Sequence, residues 1–264
     1  MSDLRIPNRR GFILGGTAAA GAVTILPYAA LADGHALDSF DTPAGALSIA
    51  PVSHASFVAQ TPAGVIYVDP VGGSDKYGGF PPPDMVLITH EHGDHYDQPT
   101  LDGIVVEQTQ IVANPAVFAM LPEAMQAKAT EMANGDSGGF GDVSIEAIPA
   151  YNTTEERLNF HPEGRDNGYV LSFEGFRMYI SGDTEDTPEM RALQNIDLAF
   201  VCMNLPFTMD ARAAASAVAE FKPTYVYPYH FRGRDGGTQD PESFARMVGT
   251  DTEVKIAEWY DGDH

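Results

Sequence analysis

Residues 85–95 read Met-Val-Leu-Ile-Thr-His-Glu-His-Gly-Asp-His, a strand signal followed directly by a cluster of ligand-type side chains. The uninterrupted apolar run Met85–Ile88 predicts a β-strand that is buried on both faces, as in a sheet covered by other layers on each side. The chain becomes polar at Thr89. Because α/β proteins bind ligands at the carboxyl ends of such strands, we expect the functional site at this strand exit.

Three histidines and one aspartate follow the strand within a short stretch. His90 and His92 are two residues apart, so in extended chain their side chains point to the same side. Gly93 allows a sharp turn without the steric penalty of a Cβ atom. Asp94 and His95 can then face the same point from the far side of the turn. This arrangement predicts a metal site rather than a surface loop that is rich in His and Asp by chance.

Three more candidate ligands lie next to other predicted strands. Asp183 directly follows a buried strand, and His230 directly follows the strand Tyr225–Tyr229. His161 lies in a loop ahead of a further strand. A lone His or a Gly-Asp pair is a weak signal by itself, so the set as a whole carries the prediction.

The run from His90 to His95 resembles the His-x-His-x-Asp-His motif of the metallo-β-lactamase superfamily, and the later His, Asp and His follow in the order of that superfamily. The resemblance implies an α/β fold, an αββα four-layer sandwich of two facing mixed β-sheets with outer helices. Periodicity alone indicates only mixed α and β structure. The resemblance also implies two metal ions. The implied ligands are His90, His92 and His161 for the first ion, Asp94, His95 and His230 for the second, and Asp183 for both. His54 is an alternative to His161.

Three segments further resemble the branch of this superfamily that holds ascorbate-6-phosphate lactonase and related uncharacterised metal-dependent hydrolases. They are residues 52–57 with 65–70, residues 174–184, and residues 207–223. The likeness spans most of residues 48–230. Phospholipase-D-like phosphodiesterases share this layout, so the branch does not determine which bond is cleaved.

The predicted cofactors are two divalent metal ions. Imidazole and carboxylate ligands without thiolate suit Zn²⁺ best, and also Mn²⁺ or Fe²⁺. Two ions about 3.5–4 Å apart would share a bridging hydroxide as the nucleophile. Asp94 could orient that hydroxide, and His54 could act as a substrate contact or proton donor, so both are predicted catalytic residues. A structural role is the alternative for His54.

Other side chains could support the ligands or contact a small-molecule substrate. Partners for the N–H groups of ligand histidines are predicted at Thr89, Asp69 and Asp84, with strand-end capping as the alternative. Candidates for binding a substrate oxyanion or phosphate are Asn204, Tyr229, Arg232 and Arg234. The two arginines form the one basic spot near His230 in an acidic chain, and surface solvation is their alternative role.

The first 32 residues resemble a twin-arginine export signal. Arg9 and Arg10 precede a mildly apolar run, residues 12–26, which Gly and Thr interrupt too often for a membrane span. Ala30-Leu31-Ala32 predicts cleavage before Asp33, with an uncleaved anchor as the alternative. We therefore expect export by the twin-arginine machinery, a periplasmic location, no stable membrane anchor, and one domain over residues 33–264.

Composition excludes several partners. With 37 acidic and 15 basic residues the formal net charge is −22, which repels nucleic acid and anionic membranes. The single cysteine, Cys202, excludes an intrachain disulfide and a cysteine-rich zinc site.

The predicted function is hydrolysis of an ester, lactone or phosphodiester bond. The alternatives are an iron-dependent oxidoreductase on the same fold and a non-catalytic metal-binding module.

Local signals also predict details of the fold. Asn114 and Asp240 are predicted N-caps of helices, residues 71–83 a mobile flap beside the site, and residues 254–260 the last strand.

Overall fold

The computed structural model describes residues 38–260. These residues belong to one compact unit. The predicted export signal and its cleavage site lie outside the described residues. Within residues 38–260, no helix is both long enough and apolar enough to cross a membrane.

The described chain alternates groups of strands with short helices. The strands are β1 Asp38–Thr42, β2 Gly45–Ser53, β3 Ser56–Thr61, β4 Gly64–Val68, β5 Met85–Ile88, β6 Gln110–Ala113, β7 Ala129–Glu131, β8 Ser137–Phe140, β9 Val143–Ala150, β10 Asp166–Phe173, β11 Phe176–Ile180, β12 Leu198–Cys202, β13 Tyr225–Tyr229 and β14 Glu253–Val254. The helices are α1 Gln98–Ile104, α2 Pro115–Met120, α3 Glu123–Gln126, α4 Pro188–Arg191, α5 Ala211–Phe221 and α6 Pro241–Val248, with 3₁₀ turns at Ser74–Tyr77 and Glu155–Arg157.

The strands form two mixed sheets of seven strands each, in the order β1 to β7 in the first sheet and β14 to β8 in the second. In the first sheet β1–β4 pair antiparallel and β4–β7 pair parallel. In the second sheet β8–β11 pair antiparallel and β11–β14 pair parallel. Each sheet therefore has a parallel half, whose strand exits can meet at one edge of the molecule.

Side chains of β5 alternate between two apolar layers. Met85 and Leu87 join the core cluster that also holds residues of the second sheet, whereas Val86 and Ile88 pack with residues of α1 and α2. Across the inner layer, the ring of Phe57 in β3 stacks on Phe200 in β12 with centroids 4.2 Å apart. Such alternation is the pattern of a strand covered on both faces. The two sheets thus face each other, and helices cover the outside of the first sheet.

Helix α5 covers the outside of the second sheet with a largely alanine surface. Its buried residues include Ala214, Ala217 and Val218, and Phe221 makes an edge contact with Tyr179 of β11 at 6.0 Å. Small side chains let the helix approach the sheet closely. The predicted αββα four-layer sandwich is confirmed.

The chain after β14 differs from its prediction. A strand was expected over residues 254–260, but pairing ends at Val254, and residues 255–260 turn back toward the first sheet. The ring of Trp259 is buried and packs edge-on against Phe57 and Phe200 at 6.2 and 6.3 Å. Burial of this ring between the sheets takes the segment off the sheet edge.

Residues 71–83 also differ from their prediction as a flap beside the site. Their 3₁₀ turn buries Tyr77, whose ring stacks on Tyr67 of β4 with centroids 5.1 Å apart. That contact holds the loop on the outer face of the first sheet. The two predicted caps are confirmed: the side chain of Asn114 accepts from the backbone N–H of Val117, and that of Asp240 from two N–H groups of α6.

Candidate metal centre

A cavity of about 640 Å³ lies where the parallel halves of the two sheets end. Its lining includes five of the seven predicted metal ligands, namely His92, Asp94, His161, Asp183 and His230. The other two, His90 and His95, are fully buried beneath it. His54 lines the same cavity.

Five strand connections deliver these side chains. The exit of β5 carries His90 to His95, the exit of β11 carries Asp183, and the exit of β13 carries His230. His161 comes from the loop between β9 and β10, and His54 from the turn between β2 and β3. His54 and His230 both have positive φ, 55° and 47°, which is uncommon for residues other than glycine. The backbone N–H of His230 donates to the carbonyl of His54 at 3.3 Å, so the two turns hold each other.

His90, His92 and His161 form the first group of candidate ligands. One nitrogen from each lies within 4.8 Å of the other two. Nε2 of His90 and Nδ1 of His92 are 3.2 Å apart. This group is the set predicted for the first metal.

Asp183 stands between two sets of histidines. Its Oδ2 lies 3.4 Å from Nε2 of His161. Its Oδ1 lies 3.3 Å from Nε2 of His95 and 3.5 Å from Nε2 of His230. One carboxylate with its two oxygens directed to opposite sides has the geometry needed to bridge two cations.

The remaining candidates group differently from the prediction. Oδ2 of Asp94 lies 3.3 Å from Nε2 of His230 and 3.4 Å from Nε2 of His54, and these three side chains form one potential ligand group. His95 instead groups with His90 and Asp183. The predicted alternative of His54 in place of His161 does not match this arrangement, because His54 stands beside Asp94 and His230.

Buried polar atoms at this point lack hydrogen-bond partners. Among the described residues these include Nε2 of His95, Oδ1 of Asp183 and Nε2 of His230. Leaving such an atom unsatisfied costs about 1–3 kcal/mol, so three that converge indicate an absent partner. A divalent cation would supply that partner, and imidazole with carboxylate is a donor set for Zn²⁺, Mn²⁺ or Fe²⁺. The residues therefore fit the metal that the sequence implied.

Asp69 and Thr89 support the buried histidines, as predicted for both. Oδ2 of Asp69 accepts from Nδ1 of His95 at 2.8 Å, and its two oxygens also accept from the backbone N–H and hydroxyl of Thr89. The Thr89 hydroxyl oxygen lies 3.0 Å from Nδ1 of His90. The same prediction for Asp84 is wrong, because its carboxylate caps the start of β4 by accepting from the N–H of Val65.

Sequence reasoning missed the support of His161. Its Nδ1 lies 2.9 Å from Oδ2 of Asp166, a fully buried carboxylate. Arg165 donates to Asp166 at 2.6 Å and pairs with Glu91 at 3.0 Å, which connects this support to the loop after β5. The signal in the sequence is a carboxylate five residues after the candidate ligand.

Electrostatics prepare the site for cations. Burial lowers the pKa of His90 well below its ordinary value, and the neighbouring His95 lowers it further. Burial also opposes charge on His95, but the carboxylates of Asp183 and Asp69 outweigh it and raise the pKa of His95 well above its ordinary value. For Asp183 burial acts to raise the pKa, yet His230 and His95 lower it well below the usual range. The Asp183 carboxylate is thus ionised and His90 neutral, the forms that bind metal, whereas His95 would have to release a proton before its Nε2 could bind a cation.

The candidate substrate contacts have mixed outcomes. Asn204, Arg232 and Arg234 line the cavity, whereas Tyr229 is fully buried and does not. Arg234 lies over the ring of Phe207 at 5.3 Å. Tyr260, which no sequence signal marked, lies 2.8 Å from His54 through its hydroxyl.

Known proteins resemble this chain in sequence. A sequence model of the Beta-lactamase superfamily domain matches residues 48–230. A UPF0173 metal-dependent hydrolase of Thermococcus kodakarensis is 30% identical over 216 residues, 78% of this chain and 93% of that protein. Another from Anaeromyxobacter dehalogenans is 31% identical over 227 residues, 77% of this chain and 78% of that protein.

A solved structure is similar over most of the chain. A Parabacteroides distasonis protein, assigned as a metal-dependent hydrolase, is 38% identical with a TM-score of 0.74. The match covers 86% of this chain and 100% of that protein.

Proposed function

The chain belongs to the beta-lactamase superfamily and is a metal-dependent hydrolase, and we propose that it uses two divalent cations, Zn²⁺ foremost, to cleave an ester, lactone or phosphodiester bond. The observation that carries the two-cation proposal is the position of Asp183, whose Oδ1 and Oδ2 face different histidines. His90, His92 and His161 would hold the first cation. Asp94, His95 and His230 would hold the second, with Nε2 of His95 3.3 Å from Oδ1 of Asp183.

The cations would supply an activated water and would polarise the substrate carbonyl or phosphoryl oxygen. The side chains contribute orientation. Asp69 and Asp166 accept hydrogen bonds from His95 and His161 on the nitrogens that face away from the cavity, so Nε2 of each points inward. Asp94 is half exposed at the cavity and can accept a hydrogen bond from the attacking water.

The cavity wall suits a substrate with an acidic group. Arg232 and Arg234 line it in a chain whose formal net charge is −22. Phe160 and Phe207 line it as well, with ring centroids 5.1 Å apart, and offer an apolar surface. We expect a small molecule that combines an apolar part with a carboxylate or phosphate.

Export to the periplasm is part of the proposal. It rests on Arg9-Arg10 and on Ala30-Leu31-Ala32, which together have the form of a twin-arginine signal with a cleavage site. The chain would then take up its metal before it crosses the membrane. Replacing both arginines by lysine should retain the precursor in the cytoplasm, and normal export of that variant would contradict this part.

The proposed reaction is tested on natively exported protein. Elemental analysis gives the metal and its stoichiometry, and a screen of chromogenic phosphodiesters, lactones, esters and thioesters gives the bond. We expect about two cations per chain and hydrolysis that a chelator abolishes and Zn²⁺ or Mn²⁺ restores. Oxygen consumption in place of hydrolysis would identify the iron-dependent alternative, and hydrolysis by metal-free protein would contradict the proposal.

A further inference from the structure

Tyr260 and His54 come from opposite ends of the described chain and meet at the edge of the cavity. Oη of Tyr260 lies 2.8 Å from Nδ1 of His54, and the two residues are 206 positions apart in sequence. Tyr260 lies beyond residues 48–230, the range matched by the superfamily model. The contact therefore brings a residue from outside the matched range to the cavity.

The hydroxyl of Tyr260 has a defined hydrogen-bond polarity. It carries one hydrogen to donate and an oxygen that can accept. The backbone N–H of Arg232 donates to that oxygen at 3.0 Å. In residues 38–260, Nδ1 of His54 is the acceptor at hydrogen-bond distance from the hydroxyl. If Nδ1 of His54 instead donated to the Tyr260 oxygen, the hydroxyl hydrogen would have no acceptor among these residues.

We propose that Tyr260 donates its hydrogen bond to Nδ1 of His54 and so holds this imidazole as the neutral tautomer with its hydrogen on Nε2. Tyr260 is thereby a positioning residue for His54. Nε2 lies 3.4 Å from Oδ2 of Asp94, at the wall of the cavity. A ring nitrogen that carries a hydrogen cannot ligate a metal. His54 is then a hydrogen-bond donor to a substrate oxygen, although its distances to Asp94 and His230 are those of a third ligand.

A neutral imidazole N–H is a suitable group for this task. It can stabilise negative charge that develops on a carbonyl or phosphoryl oxygen without itself carrying charge, as an oxyanion-hole donor does. This catalytic half of the inference rests on the proposed function. The tautomer of His54 does not, because it follows from contacts within the protein.

Packing holds both partners of the hydrogen bond in place. The guanidinium of Arg232 lies 4.1 Å from the centroid of the Tyr260 ring, and the ring of Phe231 contacts the same ring at 5.0 Å. The backbone N–H of His54 donates to the carbonyl of Trp259 at 2.9 Å. Because the Trp259 ring is buried, the segment before Tyr260 is anchored in the core.

NMR can determine the tautomer of the His54 imidazole directly. Full-length protein labelled with ¹⁵N-histidine is studied by long-range ¹H–¹⁵N correlation NMR, both loaded with zinc and after chelator treatment, and His54→Gln assigns the His54 signals. We expect the hydrogen on Nε2 in both forms of the wild-type protein. Tyr260→Phe should shift the signals toward the other tautomer. Tyr225→Phe is the matched control, because Tyr225 lies at the start of β13 against Phe40, and it should leave the signals unchanged.

Metal content supplies the second readout. His54→Gln and Tyr260→Phe should each bind as much zinc as the wild-type protein. A His54 whose Nε2 lacks hydrogen in the zinc-loaded protein, or a His54→Gln protein that loses one zinc per chain, would overturn the proposal and make His54 a ligand. Absence of hydrolysis in the wild-type protein would contradict the proposed function instead, since the spectrum is recorded without substrate.

Discussion

Asp69 and His95 are joined in the buried floor of the candidate metal centre. Oδ2 of Asp69 lies 2.8 Å from Nδ1 of His95, and neither side chain is exposed to solvent. The contact directs Nε2 of His95 toward Asp183, at 3.3 Å. A carboxylate in this position both orients the imidazole and raises its basicity as a ligand.

Asp69→Asn should lower zinc affinity by about 10–100-fold, the usual effect of removing such a carboxylate. The backbone should tolerate the change, because Asp69 has φ 43° and Asn adopts positive φ readily. Competition with a chromophoric chelator measures the affinity. Asp84→Asn is the matched control, since the Asp84 carboxylate caps the start of β4. Equal affinities for the two variants would show that Asp69 does not support the metal.

Glu185 should make the fold sensitive to acid. Its burial acts to raise the pKa, but hydrogen bonds from Thr154, Thr153 and Arg157 outweigh that effect and lower the pKa from 4.5 to about 2. A depressed pKa means that the ionised form stabilises the folded state above pH 4.5, and this contribution is lost as pH falls toward 2. The shift corresponds to a contribution on the order of 3 kcal/mol.

Denaturant unfolding at pH 6 and pH 3, in chelator, measures the effect of Glu185. The free energy of unfolding of the wild-type protein should be lower at pH 3 than at pH 6. Glu185→Gln should be less stable than the wild-type protein at pH 6, and its free energy of unfolding should fall less between pH 6 and pH 3. Glu123→Gln, at an exposed site in α3, should keep the wild-type pH dependence. If Glu185→Gln also kept the wild-type pH dependence, the Glu185 carboxylate would not be the acid-sensitive group.

Arg234 should contribute to anion binding at the cavity wall. We expect inorganic phosphate to inhibit hydrolysis competitively, and Arg234→Gln to raise its inhibition constant about tenfold, in line with one charge-assisted hydrogen bond. Arg212→Gln removes the same charge from an exposed site on α5 and should leave the constant unchanged. A tenfold effect in both variants would indicate a general charge effect and no specific contact.

The stacked pair of Phe57 and Phe200 should account for a large part of the contact between the sheets. Phe57→Ala should lower the free energy of unfolding by about 3–5 kcal/mol, because the lost ring leaves a cavity between two sheets that cannot collapse fully. Met120→Ala, at a side chain that is 51% exposed, should change it by less than about 0.5 kcal/mol. Thermal or denaturant unfolding of the two variants provides the comparison, and similar losses would contradict the core assignment.

The sequence predicted the strand exits well, because their signals are local. The apolar run Met85–Ile88 marks a strand buried on both faces, and the polar cluster after it marks the site. The same reasoning located Asp183, in the loop after β11, and His230, directly after β13. Short edge elements such as β1 and β7 were not predicted, since a few residues on a sheet edge carry little hydrophobic periodicity.

Relations between distant segments could not be predicted in this way. Tyr260 reaches His54 only because the Trp259 ring inserts between the sheets, and that packing depends on the whole fold. The position of His54 beside Asp94, rather than beside His90 and His92, likewise depends on how the turn after β2 meets the turn after β13. The role of Asp84 was predicted wrongly because an aspartate near a strand end can either cap the strand or accept a hydrogen bond from a ligand histidine, and the sequence does not distinguish the two.

The central claim is a two-cation centre bridged by Asp183, and the zinc content of Asp183→Ala tests it most directly. Each protein is loaded with zinc, desalted and measured by elemental mass spectrometry beside the wild-type chain. Asp186→Ala is the matched control, because Asp186 lies in the same loop as Asp183 but pairs with Arg191. Wild-type protein and Asp186→Ala should hold about two zinc ions per chain. Asp183→Ala should lose occupancy at both positions, with turnover reduced at least about a hundredfold, because one carboxylate neutralises charge at both cations. An Asp183→Ala protein that retains two zinc ions and near-normal turnover would contradict the account.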